Sequence, residues 1–171
     1  MTPLTPLEAQ CRLDTPLGPM TLAASARGLA GAWFDGQTHH PGVLAVPVDT
    51  HQRWLREGAA QLSAYFAGRQ QAFSLPLDPA GTPWQQAVWL ALRRIAPGRA
   101  TDYGTLALQL GKPQAARAVG AAVGRNPLSV IVPCHRVLGR DGSLTGYAGG
   151  LDRKRWLLRH EGTATAPAVA A

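Results

Sequence analysis

Cysteine is scarce in this chain: of 171 residues only Cys11 and Cys134 carry a thiol, too few and too far apart for a disulfide framework. No C-x-x-C or H-E-x-x-H spacing occurs, so no metal site is expected. Nor is there a G-x-G-x-x-G turn of the kind that holds a nucleotide-derived group, and no cofactor is expected. No uncharged apolar run approaches the ~20 residues of a membrane span, and Met1-Thr2-Pro3-Leu4-Thr5-Pro6 has neither the basic nor the apolar region of a secretion signal. The expectation is a soluble, unprocessed, cytoplasmic monomer with reduced thiols and no membrane partner.

Acidic residues are the second scarcity. Ten Asp and Glu face 17 Lys and Arg, for a formal charge of +7, and the imbalance is confined to one half. Residues 1–80 hold five arginines against six acids, whereas residues 81–162 hold ten arginines and two lysines against four. A basic second half points to a polyanionic partner; the plainer alternative is an arginine-rich surface that serves solubility. With 46% hydrophobic residues, the chain can bury one good core or two small ones.

What is present in the first half is an α+β pattern without evident chemistry. Cys11-Arg12-Leu13, Pro19 to Ala24 and Leu29 to Phe34 read as short strands of an antiparallel meander, parted by turns at residues 15–18 and 26–28. Asp49 or Thr50 caps a helix running to about Ala67, with Trp54, Leu55, Ala59, Leu62 and Phe66 on its apolar face and Gly68 as its stop. Cys11, at a strand position, reads as a small core residue. His39, His40 and His51 lack carboxylate or cysteine partners and read as surface histidines.

A shift to Pro76, Asp78, Pro79, Ala80 and Gly81 marks a linker and predicts domains at 1–80 and 81–162. Thr82 then caps a helix with Pro83 at its first position, and Val88, Trp89, Leu92 and Ile95 follow at helical spacing. Thr101 caps a short helix through Leu110, Gly111-Lys112-Pro113 turns the chain, and residues 114–123 form a second helix. Two short helices joined by a tight glycine turn in a basic half suggest a helix-turn-helix; plain helical packing fits the same pattern. The second helix offers only Gln114 and Arg117 as long polar side chains, too few to read a base sequence. Its small residues either permit close approach to a DNA groove or face a tight core.

The richest stretch is Leu128 to Val132 followed by Pro133-Cys134-His135-Arg136-Val137. It reads as a buried strand stopped by proline, with a thiol and an imidazole next in line. A free thiol is only a few per cent ionised at neutral pH, so a nucleophilic Cys134 needs help. Successive side chains on extended backbone point apart, so either the chain bends after Pro133 or a water joins sulfur to imidazole. Glu161, a carboxylate at the C-terminal end of a cationic helix, opposes the macrodipole by ~0.3–1 kcal/mol. It is a candidate to orient His135; pairing with Arg159 or solvent exposure is the ordinary alternative.

Seven motifs in order complete the picture: Gly81-Thr82-Pro83-Trp84-Gln85, residues 102–107 (Asp102-Tyr103-Gly104 onward), Arg117-Ala118-Val119-Gly120, Asn126-Pro127, Pro133-Cys134-His135-Arg136-Val137, Gly146-Tyr147-Ala148-Gly149-Gly150 and Leu157 to Gly162. Over residues 81–162 the sequence closely resembles the O6-alkylguanine-DNA alkyltransferases, also called methylated-DNA–protein-cysteine methyltransferases. The resemblance implies a ribonuclease-H-like α+β N-terminal domain, an antiparallel sheet with a helix. A mostly α, winged-helix-like C-terminal domain with a helix-turn-helix would follow. Beyond the resemblance, residues 163–171 are rich in Ala, Thr, Pro and Val and read as a disordered tail. The resemblance also implies Cys134 as alkyl acceptor, His135 as its base through a water, Glu161 completing the relay and Asn126 holding the turn before the active-site segment. Arg117 would fill the space of a flipped guanine, with Gln114, Ala118 and Gly120 on the DNA-binding helix. Tyr103 would bond the base and protonate the leaving guanine. Val123, Val137, Gly146, Tyr147, Ala148 and Gly149 would line the pocket.

Two departures stand out. Ala148 occupies a position where many relatives carry serine, leaving only its backbone amide for the base. Trp84 replaces a common phenylalanine, a change expected to affect packing more than chemistry. The zinc ligands of some relatives' first domain are missing. The expected partner is double-stranded DNA carrying O6-alkylguanine, with O4-alkylthymine a further candidate. With no donor-cofactor motif, the alkyl group comes from the substrate and the protein is consumed in one turnover. The alternatives are an alkyltransferase-like binding module, against which Cys134 argues, and a Cys-His thiol hydrolase, which leaves the basic half and the bare helix unexplained.

Overall fold

Three strands open the chain and pair antiparallel in sequence order: β1 (Leu7–Leu13), β2 (Met20–Ser25) and β3 (Leu29–Phe34). In the computed structural model, which describes residues 5–164, every residue of β2 and β3 is buried. Neither strand therefore shows the alternation of a half-exposed sheet. Gly31 is required in β3 because the Trp33 ring lies across the place where a Cβ would stand.

Helix α1 (Arg53–Phe66) packs on this sheet, and it starts later than Asp49 or Thr50 would have it. Gln52 is the cap, its Oε1 accepting from the backbone of Trp54 at 2.7 Å and Leu55 at 3.0 Å. Asp49 instead accepts from the His51 amide, closing a turn ahead of the helix. The buried face is Leu55, Gly58, Leu62 and Tyr65, with Trp54, Ala59 and Phe66 at its margins. Gly58 belongs to that face because the Leu29 side chain sits 3.1 Å from its Cβ position.

The proline-rich segment near residue 80 is pinned to the first unit. Leu29 exchanges backbone hydrogen bonds with Pro76 and Asp78, and the Asp78 carboxylate accepts from Ser25 and Arg27.

The chain divides into two compact units, one taking the chain up to Gly81 together with Pro127–Ile131, the other Thr82–Asn126 and the chain from Val132 on. The second unit is mainly helical. Helix α2 (Pro83–Leu92) opens with a reciprocal Thr82–Gln85 capping box and ends three residues before Ile95. Strand β4 (Thr101–Asp102) pairs in parallel with β5 (Val137–Leu138). Helix α3 (Tyr103–Gln109) follows, and its cap is Asp102 rather than Thr101. Thr101 is taken up by the β4 pairing, while the Asp102 carboxylate accepts from both the amide and the hydroxyl of Thr105. Helix α4 (Ala116–Gly124) begins two residues later than expected, and α5 (Leu151–His160) closes the unit. After α5, Gly162 at φ 72° and Thr163 return their amides to Arg159 and Leu158. Of the expected tail, residues 165–171 lie outside the described residues.

The apolar run from Leu128 to Val132 is buried but is not a regular strand. It pairs with β3 only through a bridge between Leu128 and Ala32. Val130 then sits in the left-handed region at φ 74°, which a β-branched residue adopts at a cost of about 1–3 kcal/mol, and the extension ends.

Candidate active site

Pro133 determines how Cys134 is presented. At φ −81° and ψ 62° it closes a tight turn in which the Cys134 amide donates to Val132 O at 2.8 Å. A short 3₁₀ turn, Cys134–Arg136, follows. The chain does bend, but the bend makes no hydrogen bond between sulfur and imidazole: the thiol meets Asn126 and His135 meets Glu161. The bend parts three consecutive side chains into two sets of partners.

The thiol faces Asn126. Immediately after α4, the Asn126 amide nitrogen donates to Val132 O at 2.9 Å and to Cys134 Sγ at 3.2 Å. It thus closes the gap where residues 127–131 leave this unit, and it also touches the sulfur. Burial pushes the Cys134 thiol up, while the Asn126 hydrogen bond and the Lys154 charge pull in the other direction without overcoming it. The resting sulfur is a protonated thiol with stabilisers for its anion already in place.

His135 and Arg136 both meet Glu161, the residue that ends α5. Arg136 grips the carboxylate with Nε on Oε2 and a terminal nitrogen on Oε1, each at 2.8 Å, and its other terminal nitrogen donates to Ile95 O at 2.5 Å. His135 Nε2 lies 2.8 Å from Glu161 Oε1. All three residues are buried. Burial alone would raise the Glu161 carboxyl, but hydrogen bonds and charge from Arg136 and His135 hold it at about 2. Glu161 is therefore ionised and can only accept, so His135 carries its hydrogen on Nε2 and keeps its lone pair on Nδ1. That Nδ1 is buried and has no hydrogen-bonding partner among the described residues. Burial pulls the imidazole down, Glu161 offsetting part of the shift, so the ring stays a neutral base. Two buried donors thus outweigh the unfavourable helix-end position of Glu161.

Of the remaining expected residues, Tyr103 is the one within electrostatic reach of Cys134; the others differ in where they sit and how far they are buried. The Tyr103 ring lies 3.6 Å from the Cβ position of Gly120 on α4, and its hydroxyl is 4.0 Å from that of Gly146. Burial raises the phenol and the Cys134 charge adds to this, against a hydrogen bond from Thr145. On α4, Val119, Ala122 and Val123 are buried, while Arg117, Ala118 and Ala121 are exposed, as is Gln114 ahead of it. The alanines divide between the faces, Ala122 buried and Ala118 and Ala121 exposed, so a tight core accounts for only part of them. Val137 is fully buried, Gly149 is buried, Tyr147 and Ala148 are half-buried, and Gly146 is exposed. A cleft of about 650 Å³ bordered by Arg94, Arg99 and Gln109 shares only Ile95 with this cluster. Among the described residues no group of three His, Cys, Asp or Glu is arranged to hold a metal, and no helix is long and apolar enough to cross a membrane.

Comparison with known proteins agrees with this chemistry. Residues 83–163 match the family described as 6-O-methylguanine DNA methyltransferase, DNA binding domain, and residues 12–79 match its ribonuclease-like domain. A methylated-DNA–protein-cysteine methyltransferase from Methanosarcina barkeri is 45% identical, the match covering 87% of this chain and 94% of that one. The chain belongs to the 6-O-methylguanine DNA methyltransferase family. A Shigella flexneri member is 46% identical over 88% of this chain and 94% of its own. The crystal structure of the Mycobacterium tuberculosis O6-methylguanine methyltransferase superposes with a TM-score of 0.82 at 44% identity, covering 95% of this chain and 96% of that one. The same mycobacterial protein in complex with DNA gives an equal TM-score over 90% of this chain and 92% of that one. In both the match and the fold, a sheet domain precedes a helical one.

Two residues of this family member's site carried no role in the sequence reading. Arg136 lay inside a recognised motif, but only the fold reveals it as the clamp on Glu161. Lys154 is fully buried, and its ammonium donates to Val137 O at 2.5 Å, Thr145 O at 2.7 Å and Gly146 O at 3.3 Å. Burial lowers it to about 8, with the Cys134 charge opposing. A signal existed: Lys154, Leu157, Leu158 and Glu161 share the buried face of α5 at helical spacing. Lys154 is also one of two lysines in an arginine-rich chain, and three converging carbonyls suit a compact ammonium better than a planar guanidinium.

Proposed function

We propose that this chain repairs DNA by direct reversal, moving the alkyl group of O6-alkylguanine onto Cys134 in a single irreversible turnover. The observation that carries this reading is the buried thiol held by Asn126 beside a buried His135–Glu161–Arg136 chain, in a protein whose relatives are named for transfer to cysteine.

The roles follow from the contacts. Lesion binding brings the alkyl carbon to Sγ. The His135 Nδ1 lone pair takes the thiol proton through a bridging water, since imidazole and sulfur make no direct hydrogen bond. Glu161 stabilises the resulting imidazolium, and Arg136 keeps Glu161 ionised and fixed. Sγ forms a bond to the alkyl carbon as the bond from that carbon to O6 breaks, and the electron pair passes into the guanine ring. The Tyr103 hydroxyl hydrogen-bonds the base and passes it the proton that leaves neutral guanine; the phenolate regains a proton from solvent as the imidazolium gives one up. The product is a thioether, whose C–S bond is not opened by water, so the protein is spent, and no cofactor takes part.

A base inside the duplex cannot reach a buried thiol, so it is flipped out at a cost of a few kcal/mol. The small exposed face of α4, Ala118 and Ala121 with Gln114 ahead, supports close approach to the groove, and Arg117 occupies the vacated place in the stack. On this reading residues 146–149 form the pocket wall together with Val123 and Val137, and Ala148 contributes only its backbone. The same reading gives a ribonuclease-H-like label to the sheet unit. It gives a winged-helix-like one to the α3–α4 pair and its β4–β5 ladder, with domains at 1–80 and 81–162.

The test is direct. Protein is mixed with duplex DNA carrying O6-methylguanine, and the Cys134 peptide is weighed. One added methylene per protein is expected. An unmodified Cys134 with tight binding would indicate a lesion-binding module, and turnover of a thioester a hydrolase. Arg117→Ala should slow repair in duplex DNA far more than reaction with free O6-benzylguanine.

A further inference from the structure

Helix α4 presents Arg117, yet little within its own sequence holds it straight. It has nine residues, shorter than the ~12–15 at which an isolated helix becomes even marginal. It contains Gly120, and its first residue has no side-chain cap, whereas α1, α2 and α3 each have one. It packs against α3, where the Tyr103 ring meets Gly120, and is tied by side-chain hydrogen bonds from α2. The Trp84 indole nitrogen donates to Ala118 O at 3.1 Å, and the Trp89 indole nitrogen donates to Ala122 O at 2.8 Å. These two carbonyls are four residues apart, one turn along the same line of the helix. The tryptophans are unlike in setting: Trp89 is buried, while Trp84 is half-exposed, with the Lys112 ammonium 5.7 Å over its ring. Trp84 therefore touches both the turn that leads into α4 and the first turn of α4 itself.

We propose that Trp84 is a positioning residue for base extrusion: its indole N–H fixes the first turn of α4, and with it the adjacent Arg117, against α2. This rests on the repair reading above. It also revises what is expected of a tryptophan at this position. A phenylalanine keeps the ring and its packing but has no N–H for Ala118 O, so the substitution concerns a bond as well as volume. A helix start that rocks offers Arg117 at varied distances from the base pair, which lowers the rate of flipping. A free base in solution needs no flipping and reaches Cys134 without Arg117.

The experiment compares wild-type protein with Trp84→Phe and with a protein carrying the isostere 3-benzothienylalanine at position 84, in which sulfur replaces the N–H. For each, the rates of Cys134 alkylation by O6-methylguanine duplex and by free O6-benzylguanine are measured, with amide exchange across α4. Both variants should lose about five-fold in duplex rate, the worth of one neutral hydrogen bond, at unchanged free-base rate and with faster exchange at residues 118–122. An unchanged duplex rate, an equal fall in both rates, or unchanged exchange overturns the proposal. If wild-type Cys134 stays unmodified by the duplex, the repair reading fails instead. The exchange measurement then still decides whether the clamp exists.

Discussion

The two cysteines are almost equally hidden, Cys11 at 4% exposure and Cys134 at 5%, and burial pushes both thiols up. They differ in what opposes that push. Around Cys11, in β1 opposite Leu22, nothing does. Around Cys134, the Asn126 amide and the Lys154 charge favour the anion, and the next residue is a neutral imidazole held by Glu161 with its Nδ1 lone pair unshared among the described residues. Seclusion thus makes a thiol inert, and reactivity is added on top of it by donors aimed at charge that has yet to form. A nucleophile built this way need not be ionised at rest; it needs somewhere for its proton to go.

The largest break in this comparison is at the sulfur itself. Cys134→Ala abolishes alkyl transfer from an O6-methylguanine duplex, while Cys11→Ala leaves one methylene added per protein, both read by mass spectrometry. Methyl uptake by Cys134→Ala at wild-type rate would mean that the acceptor lies elsewhere.

Next in size is Glu161→Gln, which removes the charge that both His135 and Arg136 face. Arg136 is left buried without its counter-charge, at a cost of about 3–5 kcal/mol of stability. Loss of the oriented base slows transfer by about 100-fold in the molecules that remain folded. The acid side supplies an independent check. Glu161 lies at about 2 in the fold against an ordinary 4.5. A depressed carboxylate stabilises the fold above its ordinary value, so on the order of 3 kcal/mol is present at neutral pH and lost as pH falls from 4.5 toward 2. Urea midpoints across that window should drop steeply for wild type and lack this component in the glutamine variant.

Lys154→Met acts more gently, on the support of the thiolate and on the loop at residues 145–146 together. Transfer at neutral pH should fall by about ten-fold, with the thiol titrating at higher pH than in wild type, as read by thiolate absorbance. A lysine that served only to hold the loop would leave that titration in place. Stability carries the sign of the same group. Because Lys154 sits at about 8 in the fold against 10.5 ordinarily, the unfolded chain binds more protons between those values. Its contribution to stability therefore rises as pH climbs through that window, and methionine removes the rise.

Legibility in the sequence tracked whether a signal was local. The meander of β1 to β3 was readable because turn residues and apolar runs sit next to each other, and the Thr82-Pro83 helix start because a capping box is complete within four residues. Helix starts at Gln52 and Asp102 were missed where a neighbouring Asp or Thr made an equally good local cap and only the wider pairing chose between them. The run at 128–132 read as a strand because its composition is that of one; the left-handed Val130 that breaks it has no sequence signature. At the site, Cys134, His135 and Glu161 were singled out by residue type and placement. The grip of Arg136 on Glu161 and Ile95, and of Lys154 on three carbonyls, joins positions distant in sequence, which periodicity hints at and only the fold resolves.

The smallest effect on stability comes from placing the same hydroxyl at both thiol positions. At position 134 a serine still meets the Asn126 N–H, so Cys134→Ser should melt close to wild type while losing transfer, since a hydroxyl is a far weaker nucleophile than a thiol. At position 11 the hydroxyl enters a buried strand that has no partner arranged for the thiol it replaces. Cys11→Ser should therefore lose about 1 kcal/mol or slightly more, seen as a lower urea midpoint, while each folded molecule still takes up one methyl group at the wild-type rate. Stability and activity then move separately at two equally buried positions. If Cys11→Ser instead slowed transfer without loss of stability, the sheet unit would have a part in the reaction that its packing alone does not explain.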